Sequence, residues 1–157
     1  MKSLRAIRNP EYEVRLEGLS WIPEDIQQSL SAIVPFLIQS LRGHVSEIGL
    51  YGSWQRNTAS LASDVDLVIL LDHEVEWFDA DRGIVDRSAA HAVRRHWQAL
   101  EQAANARRFD ARVYSIAVVT PGMLAYYAAH GQIRFQNWVH ALRHCHSLWK
   151  KGHAIED

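Results

Sequence analysis

Two carboxylates two residues apart, Asp64 and Asp66, open the most apolar run of the sequence, Leu67 to Leu71. If that run is a strand, residues two apart project from one face, and the carboxylates stand side by side. Each negative charge then disfavours ionisation of the other, a conflict that a divalent cation relieves. Hard oxygen donors suit Mg2+, which takes one or two carboxylates from a protein and keeps its other positions for water and substrate phosphates. Acids are also poor strand formers, so two of them at the head of an apolar strand call for a reason.

The complementary half lies upstream. Eleven positions before Asp64, Gly52-Ser53 breaks the strand-like segment Val45 to Tyr51. Glycine lets backbone N–H groups approach an anion closely, a helix starting just beyond it adds a favourable dipole, and the Ser53 hydroxyl can donate to a phosphate oxygen. Arg56 offers a charged donor or a solvated surface cation. A third carboxylate would complete a clamp of two ions about 3.5–4 Å apart on the attacking and leaving oxygens. Asp110, in Phe109-Asp110-Ala111-Arg112-Val113, is the candidate, provided that its segment is a strand beside that of Asp64.

Gly-Ser, a spacer of about ten residues and Asp-x-Asp at the head of an apolar strand together resemble the DNA polymerase beta-like nucleotidyltransferase superfamily, in the minimal form found in bacteria and archaea. The resemblance is close over residues 48–72, in Gly52-Ser53, Arg56, Thr58 and Ser63-Asp64-Val65-Asp66, and looser to about residue 119. It implies a mixed sheet flanked by helices, with Mg2+ (two ions, or Mn2+ in their place) held by Asp64, Asp66 and Asp110 as catalytic residues. It implies a nucleotide bound by Gly52, Ser53, Arg56 and Ser63. The implied reaction transfers a nucleoside monophosphate from an NTP, ATP first, to a hydroxyl, with release of pyrophosphate. Asp110 would deprotonate or orient that hydroxyl.

Asn57 departs from the pattern, where many relatives have Gly; Asn tolerates positive φ better than most residues. Trp54 either packs under the loop or stacks on a base. The sequence has no counterpart of the extra domain with which larger antibiotic-modifying relatives hold their substrate, so a second subunit or partner is expected to complete the acceptor pocket. An alternative reading is the antitoxin half of a toxin–antitoxin pair, partnered with a helical nuclease toxin that it modifies. The Asp-x-Asp of aspartyl-phosphate phosphatases is set aside, because there the apolar strand precedes the acids and here it follows them.

The elements that must position these groups read as follows. Glu11 to Glu17 alternates and suggests an edge strand. Pro23-Glu24-Asp25 starts a helix with apolar residues at Ile26, Leu30, Ile33, Val34, Leu37 and Leu41, kinked or divided at Pro35 and closed at Gly43. Val45 to Tyr51 and Asp64 to Leu71 are strands, the second buried on both faces. His73 to Gly83 is an acidic surface connection. Ile84 to Ala106 is a long helix, Phe109 to Val119 a strand, Pro121 to Ala129 and Phe135 to Leu142 helices; His146 to Lys150 is a strand or a helix end. This is an α/β (α+β) domain, a small mixed sheet flanked by helices, expected to be a single domain over residues 1–157 with its motif core at about 26–119.

Composition narrows the classes. Lys+Arg number 17 against 18 Asp+Glu, a net charge of −1, which argues against a dedicated duplex-DNA binder. Cys145 is the single cysteine, so no internal disulfide framework exists. No apolar run approaches the ~20 residues of a membrane span, and Met1 to Pro10 has no signal-like apolar region, so a cytoplasmic protein is expected. His140, His144 and His146 lack a convincing further zinc ligand, and read as a solvated helix end. Partners are expected to be the NTP, a hydroxyl acceptor, and either a helical protein or a second copy of the chain.

Overall fold

Strand β1 (Val45–Tyr51) and strand β2 (Val65–Leu71) form an antiparallel pair at the centre of the molecule. The computed structural model describes residues 12–152; Met1 to Pro10 and Glu11 lie outside them. Helix α1 (Glu24–Ser40) precedes β1, and the β3–β4 hairpin (Phe78–Asp79, Gly83–Ile84) follows β2. Then come α2 (Arg87–Asn105), β5 (Tyr114–Val119), α3 (Pro121–His130), α4 (Ile133–Arg143) and β6 (His146–Lys150). The sheet order is β5-β2-β1-β6, with β5 parallel to β2 and the other pairs antiparallel. No helix among the described residues is long and apolar enough to cross a membrane.

Both faces of the sheet are covered, which is why β2 is an almost unbroken apolar run. Val65, Leu67, Ile69 and Leu71 pack with Ile26, Leu30, Ile33, Val34 and Leu37 of α1. Each such fully buried Ile or Leu contributes about 1.5–3 kcal/mol. Val68 faces the other way, onto Trp77, Phe78, Ala90, Met123 and Leu142. Asp66, two residues from Val68, belongs to that second face.

Several boundaries differ from expectation. Helix α1 runs through Pro35 as one element. The lost backbone bond costs about 3 kcal/mol, less than the apolar stripe on both sides of the proline gains by docking on one core. Gly43, at φ 77°, closes the helix by donating to the Ile38 carbonyl. The 12–17 segment packs Tyr12, Val14 and Leu16 on the core as the alternation implies, yet forms no strand; it is tied to β6 by the Arg15 amide donating to the Leu148 carbonyl at 2.8 Å and by the His146 ring bonding the Arg15 carbonyl at 2.8 Å. Helix α2 starts at Arg87 because Asp86 caps it, accepting from the Ala89 amide. The 73–83 segment is no mere surface connection, since Trp77 and Phe78 are buried in the second cluster.

Strand β5 begins at Tyr114, not Phe109, and its outer edge is occupied by side chains of α2. Asn105 donates to the Tyr114 carbonyl at 2.9 Å and accepts from the Tyr114 amide at 2.8 Å. Glu101 accepts from the Ile116 amide at 2.7 Å. Helix side chains thus stand where a further strand would.

Candidate functional site

Gly52 stands at the junction of the two central strands' functional ends. It follows β1 with φ 78°, a left-handed backbone that glycine adopts without penalty. In the register of β1 and β2, Tyr51 lies opposite Asp66, and a Cβ on Gly52 would run into the Asp66 carboxylate. The backbone of the Gly-Ser turn is therefore pressed directly against the second acid of the pair. Beyond it the chain makes one helix-like turn, with the Arg56 amide donating to the Gly52 carbonyl at 3.2 Å and the Thr58 amide to the Ser53 carbonyl at 2.9 Å. Asn57 closes this turn at φ 58°, filling the place where a glycine was the alternative. The Ser53 hydroxyl takes no partner among the described residues and stays available to a ligand.

Trp54 packs beneath the loop. It is buried, donates to the Ser63 carbonyl at 3.0 Å and accepts the Trp21 indole on its own carbonyl at 2.6 Å. The Ser63 hydroxyl is engaged within the loop, accepting from the Ser60 amide at 2.9 Å. Its side chain thus shapes the loop ahead of Asp64. Arg56 is exposed, with its charge close enough to favour the ionised form of Asp66.

The three expected metal-binding acids have different surroundings. Asp64 is exposed just ahead of β2, and Asp66 is half-buried within it. Burial pushes the Asp66 carboxyl above the ordinary range, and the Asp64 charge pushes it further; Arg56 opposes both. Neither carboxylate accepts a hydrogen bond or ion pair from any described residue. Tyr51 shares the Asp66 neighbourhood. Burial raises its phenol, with the nearby Trp138 side chain opposing that shift, so it is protonated at neutral pH.

Asp110 is placed otherwise. The expected strand around it is a turn, and the β5 residue level with Asp66 is Ser115. The Asp110 side chain is 3% exposed. Its Oδ2 accepts from the Ser29 and Tyr114 hydroxyls, both at 2.6 Å, and its Oδ1 from the Arg112 amide at 2.8 Å. Burial alone would raise its carboxyl. These donors and the Arg112 guanidinium at 3.4 Å outweigh that and hold it below the ordinary range. The structure does not bring Asp110 together with Asp64 and Asp66. Among the described residues, the grouping of three potential metal ligands is instead His44, Asp72 and His73.

Arg112, which the sequence did not single out, ties this region together. It donates to the Leu61 carbonyl at 2.8 Å and to Asp25 at 3.0 Å, and lies 5.1 Å from the Trp54 ring centroid. Its signal is spread over partners far apart in the chain. Cys145 offers no nucleophile, because burial pushes its thiol up to about 11. His140 and His144 contact each other at 4.3 Å between ring centroids, whereas His146 bonds the Arg15 carbonyl.

The geometry makes Gly52→Ala a sharp probe. The left-handed backbone costs an alanine about 1–2 kcal/mol, and the added methyl displaces the Asp66 carboxylate. Gly18→Ala is the control, since Gly18 has φ 82° with nothing within 4 Å of the added carbon. Both variants should lose similar stability by thermal melting. Only Gly52→Ala should also lose about 10²-fold in activity, the scale of a misplaced reactive group.

A family model described as a nucleotidyltransferase domain matches residues 30–118. That span contains β1, the Gly-Ser turn, both Asp64 and Asp66, and nearly all of β5. Neither the curated proteins nor the solved structures gave a match.

Proposed function

The chain belongs to the nucleotidyltransferase domain family, and from that premise we propose that Asp64 and Asp66 hold a divalent cation, Mg2+ or Mn2+, with an NTP whose nucleoside monophosphate is passed to a hydroxyl acceptor. The single observation that carries this reading is the unpartnered acid pair: a half-buried Asp66 with Asp64 beside it, no hydrogen-bond donor on either, and the Gly52 backbone against Asp66. A donor-poor pair of hard oxygens fits Mg2+. When bound there, the ion neutralises charge on the reacting phosphate.

The chain's own groups do the rest. The Gly52-Ser53 turn and the free Ser53 hydroxyl bind phosphate oxygens, and Arg56 adds positive charge at the rim. The Tyr51 phenol, protonated beside Asp66, is a further donor. The acceptor oxygen bonds to the α-phosphorus while the bond to the bridging oxygen breaks. Pyrophosphate leaves with that electron pair, and the acceptor's proton passes to solvent or a base. Asp110 stays outside the metal's ligands in this proposal. Its carboxylate is taken by Ser29, Tyr114 and Arg112, and its role is to fix the turn before β5.

Purified protein would be incubated with each α-labelled NTP, Mg2+ or Mn2+, and RNA or protein acceptors. Labelled acceptor that forms only with the metal supports the reading; transfer unaffected by a chelator sinks it. A second reading, an antitoxin-type module that modifies a helical partner, is favoured by exposed Leu61, Phe109 and Val113 near the same loop. A co-expressed small helical protein should then copurify and gain the mass of a nucleotide.

A further inference from the structure

At the other end of the β1–β2 pair, three side chains converge that the nucleotidyl-transfer reading does not use. His44 immediately precedes β1 and Asp72 immediately follows β2, with His73 next in the chain. The Asp72 amide donates to the His44 carbonyl at 3.1 Å, so the strand ends themselves fix the separation of the residues. The register pairs Val45 with Leu71 at this end and Tyr51 with Asp66 at the other. Six residues of strand separate Asp72 from Asp66, about 20 Å at ~3.3 Å per residue.

We propose that His44, Asp72 and His73 form a second metal site, distinct from the Asp64–Asp66 pair, that takes a borderline transition-metal ion such as Zn2+. Asp72 Oδ1 lies 2.9 Å from His73 Nδ1 and 3.7 Å from His44 Nδ1. One ligand atom from each residue falls within 4.8 Å of the others. Zinc bonds nitrogen and carboxylate oxygen at about 2.0–2.2 Å, so tetrahedral ligand atoms stand roughly 3.3–3.5 Å apart. The observed separations bracket that value, and small rotations of two half-exposed rings suffice to reach it.

The other oxygen of Asp72 is already committed. Lys151 Nζ donates to Oδ2 at 3.0 Å and to the Gly43 carbonyl at 3.1 Å, which turns Oδ1 toward the imidazoles. Coordination needs the Nδ1 lone pair of each ring, so the proton that His73 Nδ1 shares with Asp72 Oδ1 at 2.9 Å moves to Nε2 when the ion enters. Two imidazoles and one carboxylate leave an open position and select a nitrogen-seeking ion over Mg2+. The two ends of one hairpin thus separate their metals by chemistry: oxygen ligands at Asp64–Asp66, mixed nitrogen and oxygen at His44–Asp72–His73.

The test is Zn2+ titration of the full chain by calorimetry in millimolar Mg2+, with Co2+ absorption as a second readout of coordination. One equivalent should bind. Its affinity should fall about tenfold or more in His73→Asn and His44→Asn, in line with the cost of losing a metal-site partner. It should be unchanged in Asp64→Asn/Asp66→Asn and in His140→Asn, which disrupts the other close histidine pair. Because both rings are largely exposed, these variants should match the wild type in circular dichroism before metal is added. The proposal is overturned if the wild type binds no Zn2+, if His44→Asn and His73→Asn bind it as the wild type does, or if His140→Asn or the Asp64/Asp66 variant removes it. None of these readouts involves nucleotidyl transfer, so failure of either reading leaves the other standing.

Discussion

Asp66→Asn should lower nucleotidyl transfer by about 10³-fold, the several kcal/mol expected of a metal carboxylate, while raising the melting temperature in metal-free buffer. The two effects have one cause. Asp66 is half-buried beside Asp64 without a donor, so its charge burdens the fold unless a cation is present. Burial, then the Asp64 charge, sets its folded pKa above the unfolded value. The folded state therefore binds the proton more tightly, and metal-free stability declines as pH rises through the folded pKa. The Asn variant should lack that decline. Mg2+ should stabilise the wild type by mass action and leave the variant's melting temperature where it was. A variant that melts lower than the wild type and still transfers nucleotide would remove Asp66 from the site.

Asp110→Ala should behave in the opposite way: a large loss of stability, with transfer retained by whatever remains folded. Removing this carboxylate leaves the buried Ser29 and Tyr114 hydroxyls without their acceptor and weakens the ion pairing of Arg112. Breaking such a buried network costs about 3–5 kcal/mol, or a fall of roughly 10 °C in a chain of this size. The pH dependence has the reverse sign to that of Asp66. Asp110's folded pKa lies below its unfolded value, so its contribution is present above the unfolded pKa and is lost as pH falls through the folded one. Thermal melts from neutral to acid pH should converge for wild type and variant at the acid end. An Asp110→Ala protein that melts normally but transfers nothing would instead return Asp110 to the metal.

The contrast between these two acids also marks what could be read along the chain. Gly52, Asp64 and Asp66 lie within fifteen consecutive positions, and their geometry follows from strand periodicity and one turn, both local properties. β1 and β2 are legible for the same reason, β2 by its buried apolar run and β1 by its sharp end at Gly52. Asp110 carries no local mark of its surroundings, because its partner Ser29 is 81 residues away, and no local pattern distinguishes an acid bound by distant hydroxyls from one waiting for a metal. Phe109 and Val113 extended the apparent strand, yet they are 62% and 52% exposed; their apolar character does not serve the sheet. Trp77 and Phe78 carried the opposite lesson, since flanking acids disguised a buried hairpin as surface. The start of α2 was readable in principle: Asp86 is a good cap, and the apolar Ile84-Val85 ahead of it drew the boundary too early.

The way α2 lies along β5 restricts how other molecules can meet this protein. Open sheet edges invite strand addition, in which an incoming chain pairs through its backbone. Here Asn105 and Glu101 already occupy the outward groups of Tyr114 and Ile116, and the Arg15 amide occupies the Leu148 carbonyl on the far side. At these positions an incoming chain meets backbone that is already paired. Recognition of an acceptor or partner therefore falls to side chains on helices and loops, where single substitutions retune specificity without rebuilding the sheet.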